Sequence, residues 1–299
     1  MASAELAMET APEIRTHHVP IVTRLRRRVM GVSGLTILAF LILVAVFAPL
    51  VAPYDPQSID FDSLKRPTLD HLFGTDRLGR DVFSRVVYGA RISLGIGITA
   101  TVIASIGGTF VGVVCAYFGG WVDYLIQRLV EIVMALPLLI LMIILAAVFG
   151  PSIRNVILIL GIGAIPIMSQ LVRSIVLSEK EQPYIEAARS LGATNRRILI
   201  VHVLPSTLPL AGILASLSLG AFILAEAALS FLGLGVPVPN PSWGADMSGP
   251  ARDYFQQAPW MAIFPGLAIS ITILGANLVG EAIRDLIDPF AQSWGRAGR

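Results

Sequence analysis

The sequence predicts an all-α, polytopic membrane protein with six transmembrane helices, and three observations carry that prediction. Of 299 residues, 55% are hydrophobic and only 14% are charged, too little ionisable surface to cover a soluble globule of that size. Apolar runs of about 20 residues recur with almost no charge inside them, the length needed at 1.5 Å per residue to cross about 30 Å of hydrocarbon. The runs also lack the apolar–polar alternation that a membrane barrel would show over strands of roughly ten residues.

Taken in order, residues 1–30 form a polar tail ending in Arg24, Arg26, Arg27 and Arg28. The positive-inside rule places that tail in the cytoplasm. About twenty polar residues precede the cluster and no small-residue cleavage site precedes the Pro-rich exit, so the first apolar run is expected as a retained signal anchor. It covers residues 31–51, and the further spans are expected at 92–118, 125–149, 156–177, 208–232 and 261–283. Between the first two, residues 52–91 are expected outside the cytoplasm. Residues 92–290 then form a core of five helices containing a cytoplasmic loop at 178–207, and 291–299 a second cytoplasmic tail. Lys180, Arg189, Arg196, Arg197, Arg284, Arg296 and Arg299 fall inside, whereas the outer loops near Pro151 and Pro241 carry only Arg154 and Arg252. In 52–91 the basic residues Lys65, Arg66, Arg77, Arg80, Arg85 and Arg91 are balanced by Asp55, Asp60, Asp62, Asp70, Asp76 and Asp81. Charge is uninformative there and the flanking spans decide.

Within the spans, Gly108 and Gly112, Ser216 and Gly220, and Ala276 and Gly280 form ridges of small residues that let helix backbones approach closely, either inside one chain or at a subunit seam. Pro137, Pro166 and Pro265 each remove a backbone donor and should kink their helices. Two ionisable groups need partners or water. Glu131 follows Arg128 by one helical turn and can face it. Glu226, inside the fifth span, has three open readings: lining a solute cavity, bonding a neighbouring helix, or reaching outwards to the interface. Both are candidates for a polar pathway.

Other functions have little support. A net charge of +2 without a basic stripe argues against nucleic-acid binding. Cys115 stands alone, and His17, His18, His71 and His202 lack ligand spacing with a carboxylate. No G-x4-G-K-[ST] loop occurs and the only lysines are Lys65 and Lys180, so ATP hydrolysis belongs to another polypeptide. An intramembrane enzyme would need a nucleophile, acid pair or metal set that the spans do not offer. A secondary transporter or channel would be favoured by inverted halves with matching broken helices, and no such symmetry is visible.

The loop 178–207 is the most informative segment. Pro183 suits the first position of a helix, Glu186 its early turns, and Gly192 a left-handed stop. A short helix is expected at 183–191, slim at Ala187 and Ala188, with Tyr184, Ile185 and Leu191 as its apolar grip. Thr194 or Asn195 should cap a second helix bearing Arg196 and Arg197 and ending at Pro205. An amphipathic hairpin resting on lipid is the alternative.

Glu186, Ala187, Ala188 and Gly192, followed by Leu204 and Pro205, resemble the E-A-A-x3-G-x9-I-x-L-P loop of ATP-binding-cassette importer permeases. The sequence departs from that pattern at His202. The stretch His71 to Arg85, with Tyr88 to Leu94, resembles the block after the first span in C-type permeases of the dipeptide, oligopeptide and nickel group. Further similar segments are Ala52–Pro56, Tyr117–Gly120, Ala135–Pro137, Phe231–Gly233, Trp243–Gly244, Phe264–Gly266 and Arg284–Pro289. The likeness covers nearly the whole chain after residue 22. It implies the type I importer permease fold in a bacterial inner membrane, with Glu186, Ala187, Ala188, Gly192, Leu204 and Pro205 in the loop that docks on a cytoplasmic ATPase. It also implies as partners a homologous B-type permease, two ATPase subunits that bind ATP and Mg, an external solute-binding protein and membrane lipid, with no cofactor on this chain. Peptides are the implied cargo, with nickel complexes or glutathione as alternatives. The block from Gly74 to Arg91 mixes Gly turns with Asp and Arg, a composition suited to a charge-paired scaffold more than to solute contact.

Overall fold

The computed structural model describes residues 21–287. The tails before Ile21 and after Ile287 lie outside the described residues, as do the side chains of Arg24, Arg26, Arg27 and Arg28. Among the described residues every regular element is helical, apart from one bridge between Thr75 and Asp81. The chain starts with α1 (Ile21–Val46) and a short α2 (Ala48–Val51). The long α3 (Val82–Phe118) follows, then α4 (Gly120–Met134), α5 (Leu138–Phe149), α6 (Ile153–Gly163) and α7 (Ile165–Glu179). The loop contributes α8 (Pro183–Ser190), α9 (Asn195–Ile198) and a π-helical turn at Leu199–Val203, which runs into α10 (Leu204–Phe231). Two short helices, α11 (Trp243–Asp246) and α12 (Pro250–Asp253), precede α13 (Trp260–Ile287).

Among the described residues, five stretches are long and apolar enough to cross a membrane: Val29–Val46, Val82–Phe118, Ile153–Glu179, Asn195–Phe231 and Trp260–Asp285. The expected third span is not one helix. It bends by 83° between α4 and α5, because Pro137 has no N–H to donate and forces Leu136 before it out of helical geometry. Counted as one broken crossing, the pair makes six. Pro166 stands at the start of α7, just after the seam with α6, while Pro265 lies inside an unbroken α13. The second span begins at Val82, not Ile92, and the helix at Asn195 continues through Pro205 into α10. At 37 residues each, both extend to about 55 Å and must project beyond the hydrocarbon at one end.

The core sits around α3, which packs against α7, α10, α6 and α1. Ile96, Ala100 and Ala104 of α3 meet Leu160 of α6, Phe222 of α10 and Met142 of α5. On the outside, Phe40, Leu43, Ile106, Phe110 and Leu224 are exposed, and only 17% of the Val29–Val46 window is buried. An apolar surface of that extent is solvated by lipid. Because lipid tails are as apolar as leucine, the helices associate through close packing and not through hydrophobic transfer. The ridges of small residues serve that packing within the chain. A Cβ on Gly108 would lie 2.4 Å from Cβ of Met168, and one on Gly112 would lie 2.5 Å from the Ser169 carbonyl oxygen. Gly280 likewise faces Ser216 across the α10–α13 contact.

Gly112→Val should therefore separate α3 from α7 at a cost of about 1–3 kcal/mol, the usual range for an overpacked contact. The expected result is a lower thermal midpoint for detergent-purified protein. Gly95→Ala, where an added Cβ meets nothing within 4 Å, should leave the midpoint unchanged.

Candidate functional site

The loop between α7 and α10 folds as a helix–turn–helix pinned to one end of the bundle. Pro183 opens α8, where Glu186 occupies the first turn. The helix closes at Gly192, whose φ is +81°. Gly192 N–H donates to the Arg189 carbonyl at 2.9 Å and Ala193 N–H to the Ala188 carbonyl at 3.0 Å, the paired bonds of a left-handed helix stop. A Cβ at Gly192 would meet nothing within 4 Å, so conformation and not space requires glycine there. Thr194 then caps α9, its hydroxyl accepting from Arg197 N–H at 3.4 Å.

Ile185, Ile198 and Val203 are fully buried against Val113 and Ala116 of α3 and Val172 and Val176 of α7. Polar ties reinforce this seat. Lys180 Nζ donates to the Ala116 carbonyl at 3.1 Å, and Tyr117 Oη donates to Asn195 Oδ1 at 3.0 Å. Tyr184 donates to the Glu179 carboxylate and meets the His202 ring edge-on at 5.9 Å between centroids. Burial, reinforced by Glu179, pushes the Tyr184 phenol up to about 12, so it keeps its proton and remains a donor. With Ile185 turned inward, Glu186 and Ala187 are exposed and Ala188 half-buried. The expected three-residue grip is divided: Ile185 anchors α8 to its own bundle, while Leu191 is 88% exposed. Leu204 packs against the same apolar cluster, and Pro205 stands in the first turn of α10 without ending the helix.

The two intramembrane candidates diverge. Glu131 is exposed and accepts from Arg128 at 2.8 Å. Beside them, Arg173 of α7 grips Asp123 of α4 through two bonds of 2.7 and 2.5 Å. Glu226 is fully buried. Its carboxylate accepts from Ser93 of α3 at 3.0 Å and from Ser230 at 2.7 Å. Of the three readings for Glu226, the interhelical bond is the one present within this chain, and the side chain does not line an open cavity.

At the opposite end, residues 52–81 and 232–259 form a polar cap on the bundle. Asp81 caps α3 by accepting from Ser84 N–H at 2.8 Å and lies 3.0 Å from His71 Nδ1. Buried Arg85 donates to the Pro56 carbonyl at 2.9 Å and, through Nε at 2.9 Å and Nη2, to Asp246. Trp243, fully buried, donates to the Val86 carbonyl at 2.9 Å, and Trp260 to the Thr75 carbonyl at 3.1 Å. Burial raises the Asp246 carboxyl above the ordinary carboxylate range, and the Arg85 guanidinium opposes that shift. The charged block is thus largely a paired scaffold. It also borders a pocket of about 290 Å³ lined by Asp76, Arg77, Arg85, Asn240, Asp246 and Ser248, among others.

Residues 108–292 match the family described as binding-protein-dependent transport system inner membrane component. The chain belongs to this family. Residues 21–67 also match the N-terminal transmembrane domain of oligopeptide transport permease C. The dipeptide transport system permease protein of Alkalihalophilus pseudofirmus is 41% identical over 271 residues, covering 90% of this chain and 89% of that protein. The glutathione transport system permease protein of Escherichia coli is 43% identical over 279 residues, covering 93% and 92%. The chain is therefore a multi-pass permease component of the inner membrane, of the C type in peptide-type importers.

Sequence reasoning on this permease missed the pairs Arg173–Asp123 and Arg85–Asp246, whose members are 50 and 161 residues apart in the chain. Nothing local joins them; the one signal that could have found the first pair is the charge of Arg173 and Asp123 at the margins of apolar runs, where an ionisable group needs a partner. Ile185→Ala should cost the seat of α8 about 2 kcal/mol or more. Amide exchange across 183–192 should then speed up about thirtyfold, while the amides of α3 and α7 keep their protection.

Proposed function

We propose that this permease moves short peptides across the inner membrane in an ATP-driven importer and docks on its ATPase through α8. The supporting observation is the form of the loop. Ile185 holds a slim helix to the bundle while Glu186, Ala187 and Leu191 face outward, free to enter a partner's cleft. A lipid-lying hairpin would turn its apolar residues to one common side; here the most buried and the most exposed apolar residues of the segment, Ile185 and Leu191, lie on different sides. Both named relatives transport peptides, a dipeptide in one case and glutathione in the other, and that agreement favours peptide cargo over nickel complexes.

On this reading the loop end faces the cytoplasm together with both termini, and the cap faces outward. One chain offers one α8, so two ATPase subunits, carrying ATP and Mg, call for a homologous B-type permease as pseudo-twofold partner. An external solute-binding protein delivers cargo to the cap. This chain itself hydrolyses nothing and binds no cofactor.

Two measurements test the proposal. Ala187→Leu adds volume where α8 would enter a packed cleft, and Gly192→Val strains the helix stop by about 1 kcal/mol or more. At equal membrane abundance both should lower peptide uptake and loosen ATPase co-purification; wild-type values for both would refute the docking role. For orientation, a cysteine at Asp60 in a Cys115→Ser background should react with an impermeant reagent from outside, and labelling solely from the cytoplasm would invert the topology.

A further inference from the structure

We propose that the outer flank of α4 binds a zwitterionic lipid headgroup carrying a primary amine, with Arg128 taking its phosphate and Glu131 its ammonium. An 83° bend at Pro137 turns α4 away from the direction of α5, and the helix has an apolar face turned away from the bundle, where Trp121, Leu125, Leu129 and Ile132 are exposed. At 3.6 residues per turn these four fall within about 80° of the helix circumference, and Tyr124, Arg128 and Glu131 run along one edge of that stripe. The opposite face is held in place, since Val130 is buried and Asp123 is gripped by Arg173 of α7. On the polar edge, the Trp121 and Tyr124 rings stack at 5.6 Å between centroids, and the Arg128 guanidinium lies 5.7 Å from the Tyr124 ring centroid. An apolar stripe bordered by exposed aromatic rings and charge is the pattern of a helix at the level of lipid headgroups. Deeper in hydrocarbon the accessible ion pair would be costly, and in free water the apolar stripe would be.

The chemistry of the flank selects the headgroup. The Arg128–Glu131 bond uses one guanidinium nitrogen and one carboxylate oxygen at 2.8 Å, while 58% and 59% of the two side chains stay accessible. A cation and an anion thus stand side by side at the surface, each with bonding capacity left. Beside them a pocket of about 230 Å³ is lined by Asp123, Tyr124, Gln127 and Arg173 as well as by the pair. Its four charged groups cancel, and Asp123 and Arg173 are already spent on each other. The wall therefore complements a head of zero net charge, whose phosphate meets the guanidinium fork and whose ammonium donates to the remaining carboxylate oxygen. A quaternary ammonium has no N–H to donate, and a purely anionic head sets its charge beside Glu131 with no cation to offset it. The pocket is smaller than the usual site for a whole ligand, so the head enters it while the acyl chains lie along Leu125, Leu129 and Ile132. Which leaflet supplies the lipid follows from the topology proposed above; the site does not depend on the cargo.

The test uses the complete importer, with its partner permease and ATPases, in dodecyl maltoside micelles, so that a face covered in the assembly is covered in the measurement. Dioctanoyl phosphatidylethanolamine, phosphatidylcholine and phosphatidylglycerol, alike in their chains, are titrated in turn and bound lipid is counted by native mass spectrometry. The wild type should hold the ethanolamine lipid about tenfold or more tightly than either of the others, the effect of one charge-assisted bond. Glu131→Gln should abolish its preference over the choline lipid and let the glycerol lipid bind more tightly. Arg128→Gln should weaken all three, because all carry a phosphate. Both side chains are exposed, so the variants should fold, and a general loss of structure would not sort the lipids in this way. Glycerophosphoethanolamine, the same head without chains, should compete poorly; competition equal to that of the lipid would replace the lipid by a soluble zwitterion and overturn the proposal. Equal retention of the three lipids by the wild type, the result expected if the partner permease covers α4, would overturn the site, as would an unchanged preference in Glu131→Gln or undiminished binding in Arg128→Gln. None of these readouts involves peptide uptake, so failure here leaves the transport reading standing.

Discussion

The contact between α3 and α7 at Gly108 and Gly112 is the constraint from which the rest of the arrangement follows. In lipid no hydrophobic force drives helices together, so association depends on how closely backbones can come. These glycines leave Met168 and Ser169 almost no space to spare. With α7 fixed on α3, its C-terminal end delivers Val172 and Val176 beside Val113 and Ala116, and those four residues create the seat for Ile185 and Ile198. The loop is not a flexible link between two spans. It is the continuation of one helix contact into the aqueous phase.

The same long helix organises the other end. Asp81 and Arg85 in the first turns of α3 gather the cap by bonding Ser84, Pro56 and Asp246, and Trp243 closes over it on the Val86 carbonyl. Below this, Ser93 meets Glu226 of α10, and Ser230 passes the connection to Val236 N–H at 3.1 Å. A carboxylate buried in a span is tolerable only with such donors. Within this chain Glu226 fastens α10 to α3.

How much of this was legible from the sequence depended on whether the cause was local. The turn at Gly192 and the Pro start of α8 obey rules written over a few neighbouring residues and were readable, and the cap was narrowed to Thr194 or Asn195, of which Thr194 is the one formed. Hydropathy located the apolar stretches for the same reason. It misplaced the start of α3, because Arg85 and Arg91 resemble the end of a span until Arg85 is seen paired in the cap with Asp246. Pro137 was readable as a kink but not as an 83° break, since the size of a bend is set by neighbours. The split between Ile185 and Leu191 was equally hidden: both are apolar, and only the position of α7 decides which is buried.

The π-helical turn at Leu199–Val203 completes the mechanical logic of the loop. A second helix ending at Pro205 would have left a hinge between the loop and the fifth span. Instead α9, the π turn and α10 form one continuous element from Asn195 to Phe231. The wide turn admits His202, against which Tyr184 packs, and Pro205 follows just after the turn without breaking the element. Between α8 and that element the chain leaves helical geometry only around Gly192 to Thr194. A displacement imposed on α8 thus reaches α10 through a short capped turn and reaches α3 and α7 through Ile185. That rigidity is what a docking helix needs if partner motion is to be felt in the membrane, because energetic coupling is carried by packed contacts and stiff elements.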